Sequence, residues 1–437
     1  MTSPDQPPRL FTAVPGPRSR ELARRLGRVE SRNITCLLEP GPIFWSEAAG
    51  ANVRDVDGNV FIDLTAGFGV AAAGHTSDAV VSAIAAQAAK LPHALGDVHP
   101  AEIKVALLER LAAIAPGDLA VSILASSGAE AVEAALKTAR LRTGRPGVIA
   151  FEGAYHGLTY GALATTWRSD FRAPFQDQLG ITVHFVPYPA MHTGTAGVER
   201  TIAHIEELLE ETEASNRPAG AILVEPILGR GGIIPAAPGF LAGLRNLCDG
   251  ESRLLIFDEI YSGCGRTGRW FACEHEGVVP DVLVIGKALT GSLPLSAAIG
   301  TPAVMDAWPP SRGEAIHTST FLGNPIGCAA ALAQLGEIER RGLLERATTL
   351  GTRVQARADA WAAQFDTVLG GRGVGLLQGV VVDERTAAHT VRFALEHGVL
   401  ILAEGAGDVL AITPPAVITD AQLDQALDVI EAALSAR

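Results

Sequence analysis

LLIFDEI (residues 254–260) and LVIGKALTGSLPL (residues 283–295) each contain an apolar run that ends on a charged residue. The first run reaches Asp258, and the second reaches Lys287, 29 residues later. Ionised Asp and Lys side chains rarely lie at the edge of a dry core without a partner. The sequence therefore predicts two buried strands whose ends bring a carboxylate and an amine to one place.

The composition indicates a large globular chain with an acidic balance. The chain has 437 residues, of which 48% are hydrophobic and 19% are charged, and its formal net charge is −13. This length allows a large core or about two to three domains, and the negative charge argues against a nucleic-acid surface. Its apolar runs stay short of the roughly 18 residues that a transmembrane helix needs, so we expect no membrane contact.

The cysteines and the N-terminal residues favour a cytoplasmic setting. The N-terminal residues lack the apolar segment of a signal peptide, and we expect about the first 30 residues to be loosely packed ahead of or around a basic helix. The cysteines are scattered with no C-x-x-C pair, which favours a reducing compartment. They are Cys36, Cys248, Cys264, Cys273 and Cys328.

Short apolar segments alternate with helical segments through the middle of the chain. The helical segments include residues 128–142, 199–213 and 238–249. Apolar strands that alternate with helices predict an α/β fold with a mainly parallel, seven-stranded sheet between helices. The candidate strands are residues 119–125, 147–151, 181–186, 220–225, 253–258, 281–285 and 295–300.

The two ends of the chain depart from that alternation. Residues 50–64 predict two short strands with a turn at Asp57-Gly58. Residues 327–342, 344–364 and 420–435 predict helices, with a few short strands between the second and the third. We therefore expect residues 75–325 to form a large domain, and residues 1–74 and 326–437 to build a small α+β domain from both chain ends.

Polar side chains gather at the carboxyl ends of the predicted strands. In open parallel sheets, ligands bind beyond those ends, so we expect five separate segments to meet at one edge of the sheet. The residues are Ser126, Ser127, Tyr155, His156, Glu225, Asp258 and Lys287.

The segment SSGAE (126–130) connects a predicted strand to a long helix. Ser127 and Glu130 fit a capping box, and Gly128 lets a ligand approach the backbone closely. The free N–H groups and the dipole of a helix N-terminus form an anion site. An ordinary capped helix would show the same pattern.

Asp258 and Lys287 narrow the choice of ligand. A Lys near the apolar end of a strand can have a lowered pKa and act as an amine nucleophile, and a nearby carboxylate can keep a heteroaromatic nitrogen protonated. With a phosphate seat and the aromatic face of Tyr155, these residues meet the needs of pyridoxal 5'-phosphate (PLP). A structural ion pair between Asp258 and Lys287 is the alternative, but it leaves the phosphate seat unexplained.

Over residues 35–435 the chain resembles the class-III, fold-type-I PLP-dependent aminotransferases, the group that includes 4-aminobutyrate, ornithine and ω-amino-acid aminotransferases. Each motif is moderately specific, and their order and spacing together give a strong signal. The motifs are DVDGNVFIDLTAGFGVAAAGH (55–75), SSGAEAVEAALKTAR (126–140), AYHG (154–157), VEPILGRGG (224–232), FDEIYSGCGRTGRWFA (257–272), GKALTGSLPLSA (286–297) and STFLGNPIGCAAAL (319–332).

The resemblance implies roles for residues at the predicted site. Lys287 would form an imine with the cofactor aldehyde, and Asp258 would pair with the pyridine nitrogen. The remaining cofactor contacts that it implies are the phosphate seat at Ser127, Gly128 and Ala129, ring stacking by Tyr155, packing by Ile260 on the opposite face, and Glu225 near the ring hydroxyl. Thr320 would bind the phosphate of the partner subunit, which makes a homodimer functionally required, and His156 would support the site rather than act as the catalytic base.

The implied reaction is transfer of an amino group between an amine or amino acid and a keto acid with ping-pong kinetics, and Lys287 would move the proton. An amino-acid racemase or epimerase and a decarboxylating aminotransferase remain alternatives on the same fold. Nicotinamide or nucleotide binding is disfavoured because GFGVAAAG (67–74) and GRGVGLLQG (371–379) lack the required glycine spacing. Cys264, Cys273 and His275 lack paired zinc-ligand spacing, so no metal site is expected.

Three positions differ from the 4-aminobutyrate aminotransferase pattern. Leu158 and Ala411 stand where that group has arginines, and Arg230 stands where it has a glutamate. We hypothesise that Arg230 replaces the lost carboxylate anchor, because a guanidinium can grip a carboxylate through two hydrogen bonds; a solvated loop Arg, or one paired with an acidic neighbour, is the alternative. Phe68 and Trp45 are further candidate pocket residues, although core packing is the commoner role for each.

Arg168 and Arg172 are also candidates for substrate contact, and a structural role is the more common one for arginines in this part of the family.

Overall fold

The computed structural model describes residues 3–38, 41–215, 217–249 and 253–436. The strands within these residues, in chain order, are β1 (Trp45–Ala49), β2 (Asn52–Asp55), β3 (Val60–Asp63), β4 (Val121–Ala125), β5 (Gly147–Phe151), β6 (Val183–Val186), β7 (Ala219–Val224), β8 (Ile227–Leu228), β9 (Ile234–Pro235), β10 (Leu254–Asp258), β11 (Val282–Ile285), β12 (Ser296–Gly300), β13 (Val368–Val374), β14 (Leu377–Val382), β15 (Val399–Leu400), β16 (Leu402–Glu404) and β17 (Val409–Ile412).

The α-helices and helical turns of the same residues are α1 (Pro17–Leu26), α2 (Ala66–Gly69), α3 (Asp78–Lys90), α4 (Glu102–Ile114), α5 (Gly128–Thr143), α6 (Tyr160–Thr165), α7 (Ser169–Arg172), α8 (Gly194–Glu213), α9 (Phe240–Asp249), α10 (Pro302–Met305), α11 (Pro325–Arg340), α12 (Leu343–Gln364), α13 (Glu384–Glu396) and α14 (Asp420–Ser435). Four short 3-10 turns cover Ala173–Gln178, Met191–Thr193, Ala272–His275 and Lys287–Leu289.

The predicted sheet is present, with the order β4-β12-β11-β10-β7-β5-β6. Strands β11, β10, β7, β5 and β6 pair in parallel, while β12 runs antiparallel to both of its neighbours. The prediction of a mainly parallel, seven-stranded sheet is confirmed. The register pairs Asp258 with Val284, so the carboxyl ends of β10 and β11 lie side by side.

Both faces of this sheet are buried, which is why its strands are continuous apolar runs rather than alternating ones. On β10, Leu255 and Phe257 join one core cluster, and Leu254 and Ile256 join another. Helix α5 covers the second face, and helices α4, α8, α9 and α11 supply side chains to the first. The predicted α/β architecture follows from this double cover.

The smaller domain uses both chain ends, as expected. Val399 of β15 pairs in parallel with Ile62 of β3, so a C-terminal strand completes the sheet β1-β2-β3-β15. A second sheet has the order β13-β14-β17-β16, and its core includes side chains of α12, α13 and α14. The domain limits at residues 74 and 325 stay a prediction; α11, which begins at Pro325, contributes Cys328 and Leu335 to the core of the large sheet.

The expectation of a loosely packed N-terminus is wrong. The backbone of Arg9 pairs with that of Val60. The carboxylate of Asp57, in the β2–β3 turn, accepts hydrogen bonds from the backbone N–H of Ser19 at 2.9 Å and from its hydroxyl at 2.6 Å. Asn59 accepts from the backbone of Phe11 at 2.7 Å. The polar turn predicted at Asp57-Gly58 is thus the anchor for the first helix.

Candidate active site

Lys287 follows β11 at the sheet edge where β10 ends with Asp258. It has φ 41°, a left-handed conformation that costs a residue other than glycine about 1–3 kcal/mol. Its Nζ lies 3.7 Å from the centroid of the Tyr261 ring. Burial lowers the pKa of Lys287 from the usual 10.5 to about 8, although the charges of Glu225 and Asp258 oppose that change. The fold therefore presents an amine that is easily made neutral.

Asp258 is buried, with 4% of its surface exposed, and both of its carboxylate oxygens are engaged. Oδ1 accepts a hydrogen bond from the backbone N–H of Ile260 at 3.0 Å. Oδ2 lies 2.8 Å from Nδ1 of His156, whose Nε2 is buried without a partner among the described residues. His156 therefore contacts Asp258 directly, and its supporting role stays a prediction.

The alternative that Asp258 and Lys287 form a structural ion pair does not fit this geometry. The Asp258 carboxylate lies 2.8 Å from Nδ1 of His156, and Nζ of Lys287 lies over the Tyr261 ring. Within the ranges that the structure describes, no ion pair joins Asp258 to Lys287. The two groups share a site but remain free to act on different atoms of a ligand.

Glu225 lies at the end of β7, beside the ends of β10 and β5. Its Oε1 accepts from the backbone N–H of Tyr155 and its Oε2 from that of Gly229, both at 2.9 Å. The pKa of Glu225 is raised to about 7, mainly by burial. The charge of Asp258 contributes to this rise, and His156 opposes it. Near neutral pH this carboxyl group is divided between its neutral and ionised forms, so it can donate or accept a hydrogen bond.

The predicted phosphate seat is the N-terminus of α5. The hydroxyl of Ser127 accepts a hydrogen bond from the backbone N–H of Glu130 at 3.2 Å, as the capping box requires. The Glu130 carboxylate accepts instead from Ser126, one residue before the cap, at 2.8 Å. Ser296 donates to the Ser127 carbonyl at 2.6 Å, so β12 holds the capping residue in place.

Small residues keep this helix end close to its neighbours. A Cβ on Gly128 would lie 2.8 Å from Cδ1 of Ile260. Gly157 has φ 126°, and a Cβ there would lie 2.6 Å from Cβ of Ala129. The structure thus brings Gly128, Ala129 and Ile260 together at the predicted phosphate seat.

Arg230 lies against Tyr155 and beside an acidic residue that we had not predicted. The guanidinium carbon is 4.7 Å from the centroid of the Tyr155 ring. Nε of Arg230 is 3.8 Å from a carboxylate oxygen of Glu404. Arg230 is therefore part of the site, and its partner is a glutamate from the smaller domain.

Three predicted residues are largely exposed in this chain. Phe68, with φ 61°, is 63% exposed on the turn that includes Gly69. Trp45 is 45% exposed, with its ring 5.7 Å from that of His75, and Thr320 is also exposed. Core packing is thus wrong for Phe68 and Trp45, and the structure does not bring Thr320 to Lys287 of its own chain.

Arg168 and Arg172 have partners within their own segment. Arg168 donates to Asp170 at 2.9 Å, and Arg172 donates to the backbone carbonyl of Trp167 at 3.0 Å. The structural role expected for such arginines therefore accounts for their contacts.

Leu158 and Ala411 leave the former arginine positions apolar. Leu158 is 53% exposed, whereas Ala411 is 3% exposed and packs in a cluster with Ile227 and Ile233. Neither position can bind a carboxylate by charge.

Two site residues were missed from the sequence, Tyr261 and Glu404. Tyr261 directly follows the FDEI segment, and its ring lies under the Lys287 ammonium. Glu404 ends the apolar run VLILAE (399–404), which is the same signal that pointed to Asp258. Within the described parts of the chain, no three His, Cys, Asp or Glu side chains form a group that could hold a metal ion. No described helix is both long enough and apolar enough to span a bilayer.

Comparison with known proteins agrees with this geometry. The profile of the family "Aminotransferase class-III" matches residues 38–434. The chain is 38% identical to an acetylornithine aminotransferase of Methanosarcina mazei, over 90% of this chain and 92% of that protein. It is 36% identical to a 4-aminobutyrate aminotransferase of Mycobacterium leprae, over 98% of both.

The chain belongs to the class-III aminotransferases. Solved structures show the same fold. An ornithine aminotransferase from Toxoplasma gondii matches with a TM-score of 0.83 at 29% identity, over 95% of this chain and 94% of that one. An amine transaminase from an uncultivated Pseudomonas species, in its PLP-bound form, matches with a TM-score of 0.85 at 25% identity, over 93% of this chain and 98% of that one.

This class-III enzyme is a PLP-dependent aminotransferase of fold type I, and the comparisons give no support to a racemase. The residues of its site fit the cofactor by their own chemistry. A capped helix N-terminus suits a phosphate, Lys287 suits an aldehyde, and the buried carboxylate of Asp258 suits a protonated ring nitrogen. When bound, PLP supplies an electron-accepting ring that stabilises negative charge on the substrate carbon next to the amine.

Proposed function

We propose that this aminotransferase moves an amino group from an amine or amino acid to a keto acid, and that Lys287 Nζ is the amine that binds the cofactor and carries the proton. One observation carries the proposal. Lys287, Asp258 and the N-terminus of α5 meet at one sheet edge, with Lys287 in a left-handed backbone conformation and with its pKa lowered to about 8. Such strain is retained where a residue must hold one position.

Each group has a separate task. Lys287 Nζ, in its neutral form, would take a proton from the substrate carbon next to the amine, hold it as an ammonium and later release it. Asp258, held by His156 and by the N–H of Ile260, would face the ring nitrogen. Glu225, whose pKa is raised to about 7, would exchange a hydrogen bond with the ring hydroxyl. The Ser127-Gly128-Ala129 segment would hold the phosphate.

Arg230 is the proposed contact for a substrate carboxylate. Its guanidinium is 38% exposed beside Tyr155, so a ligand can reach it. Leu158 and Ala411 supply no positive charge. These replacements argue against the substrate pair of the 4-aminobutyrate aminotransferases for this chain.

We also propose that the enzyme is a homodimer and cytoplasmic. The exposed Thr320 is followed by Phe321, which is 62% exposed; in a homodimer this segment would be covered and Thr320 would reach the partner's cofactor phosphate. All five cysteines are free, which suits a reducing compartment. Size-exclusion chromatography with light scattering, run on wild type and on Thr320→Ala, tests the assembly and its link to cofactor retention.

Borohydride reduction followed by peptide mass spectrometry tests the role of Lys287. We expect a pyridoxyl adduct on Lys287 and none on Lys104, the other lysine with a burial-lowered pKa. An adduct elsewhere, or none, would refute the proposal. A single turnover with an amine donor and no keto acid then separates the reactions: one equivalent of carbonyl product indicates transamination, carbon dioxide indicates decarboxylation, and an inverted substrate alone indicates racemisation.

A further inference from the structure

Glu404 is a third carboxylate whose charge acts on Lys287, after Glu225 and Asp258. It is the last residue of β16 and is 9% exposed. Its nearest charged partner is Arg230, and the charges of Lys287 and Arg168 also act on it. Burial raises the pKa of Glu404, and these three positive charges oppose that change. The proposed reaction gives Glu404 no task.

The bonding of Glu404 is incomplete. The 3.8 Å distance to Nε of Arg230 is too long for a hydrogen bond, and the guanidinium lies over Tyr155 instead. Among the described residues, no donor makes a hydrogen bond to the Glu404 carboxylate. Buried carboxylates normally accept several hydrogen bonds, so this one has acceptor capacity to spare.

Other ion pairs of the chain show what a purely structural pair looks like. Arg145 grips Glu213 through two hydrogen bonds of 2.6 and 2.9 Å, and Arg340 grips Glu337 through two of 2.8 and 2.9 Å. Glu337 is 8% exposed, close to the 9% of Glu404. Burial of the glutamate therefore does not prevent a pair with two short hydrogen bonds. The Arg230–Glu404 pair differs because its 3.8 Å contact includes no hydrogen bond.

The backbone fixes the position of Glu404. The N–H of Gly405 donates to the carbonyl oxygen of Arg230 at 3.1 Å. Arg372 donates to the carbonyl oxygen of Gly232 at 2.7 Å. The first bond ties the loop after β16 to the loop that carries Arg230, and the second ties β13 to the same loop, so the backbone around Glu404 is fixed relative to Arg230.

We propose that Glu404 is a specificity-determining residue that binds a second ammonium group of the amine donor. The inference rests on the proposed function, because the first amine must be the one on which Lys287 acts. Donors with a positive charge at their far end would fill the unused acceptor sites of Glu404. Arg230 remains available for a carboxylate on the same or another substrate.

Steady-state kinetics of the holoenzyme with matched donors test this inference. The donors are a short α,ω-diamine, the alkyl monoamine of the same length and the ω-amino acid of the same length. A hydrogen-bonded charge contact corresponds to roughly a 10- to 100-fold effect, so we expect wild type to favour the diamine over the monoamine by that factor in kcat/KM. Glu404→Gln should abolish this preference by lowering only the diamine value, and Glu404→Asp should restore part of it.

Glu337→Gln is the matched control, because it removes an equally buried carboxylate from α11, and it should keep the diamine preference. Calorimetric titration of the holoenzyme with the N,N,N',N'-tetramethyl diamine, which has no primary amine to transfer, gives a second measurement. We expect its dissociation constant to rise about 10-fold or more in Glu404→Gln. If wild type transfers monoamines but shows no diamine preference, or if Glu404→Gln keeps that preference, the inference is wrong while the proposed function stands. If borohydride reduction gave no pyridoxyl adduct on Lys287, both the proposed function and this inference would be wrong.

Discussion

Replacement of Lys287 by Met should stabilise the cofactor-free protein at neutral pH. Burial lowers the pKa of Lys287 from 10.5 to about 8. Each pKa unit corresponds to about 1.4 kcal/mol, so keeping a protonated Lys287 in the folded protein costs roughly 3 kcal/mol of unfolding free energy. Because Lys287 retains some exposed surface, water screens part of this cost, and we expect a gain of about 2 kcal/mol from Lys287→Met.

The pH dependence gives this prediction its sign. Below the folded-state pKa of about 8, the amine is protonated in both the folded and the unfolded protein, and the full cost is present. Between about 8 and 10.5, the unfolded chain holds the proton and the folded protein has released it, so the stability of wild type rises with pH. Above 10.5 both states are neutral and the cost has disappeared.

Urea unfolding of cofactor-free wild type and Lys287→Met, measured from neutral to strongly alkaline pH, checks this reasoning. Met differs from Lys in packing and hydrophobicity, which adds an offset that does not vary with pH. The informative quantity is therefore how the difference in unfolding free energy between Lys287→Met and wild type varies with pH. This difference should shrink by about 2 kcal/mol as the pH rises through the lysine titration. Two stability curves that stay parallel over the whole range would refute a desolvated amine at position 287.

Three further changes should separate structural from functional roles. Ser127→Ala removes the cap of α5 and should lower the free energy of unfolding by about 1 kcal/mol. It should also weaken PLP binding, measured by fluorescence titration. The control Thr419→Ala removes the cap of α14 and should lower stability without weakening PLP binding. Arg266→Met should cost about 3 kcal/mol or more in urea unfolding, because this buried guanidinium donates to the carbonyl of Pro414 at 2.6 Å; a loss below 1 kcal/mol would contradict it. Arg230→Ala should reduce kcat/KM for the best acid substrate by about 10-fold or more, and a loss under about 1 kcal/mol in transition-state binding would exclude Arg230 as the carboxylate anchor.

The sheet was predictable because its burial is simple. Strands covered on both faces must be apolar throughout, so residues 147–151 were placed at the bounds that β5 has. The direction of a strand, in contrast, cannot be read from its apolar pattern. β12 is as fully buried as β11, and only its pairing with β11 and β4 shows that it is antiparallel.

The N-terminal segment was mispredicted because its partners are distant in the chain. Its sequence is rich in proline and arginine, and it has few apolar residues to bury. Its attachment depends on Asp57 and Asn59, whose side-chain oxygens accept hydrogen bonds from Ser19 and Phe11. These oxygens are correctly placed only once the β2–β3 turn has formed. A polar anchor of this kind leaves no hydrophobic periodicity in the segment that it holds.

The candidate site was predictable where a charge interrupts a long apolar run. Asp258 and Lys287 stood out for that reason. Glu404 ends a comparable run, VLILAE (399–404), but in a part of the chain with no regular alternation, and nothing local indicates that its strand reaches Arg230. The left-handed backbone of Lys287 is equally invisible in the sequence, because residues other than glycine adopt it only when the surrounding structure requires it.

Separate partners hold the carboxylate of Asp258 and the amine of Lys287 at the edge of the apolar core. If Asp258 were paired directly with Lys287, the carboxylate would favour the charged amine and raise its pKa. Instead, His156 occupies Asp258 at 2.8 Å, and Lys287 faces the ring of Tyr261, a weaker partner for a charge than a carboxylate. Desolvation of the amine is thus the larger effect, and its pKa falls to about 8. The separation of the two groups keeps the amine of Lys287 unpaired by Asp258, as its proposed role as a nucleophile and proton carrier requires.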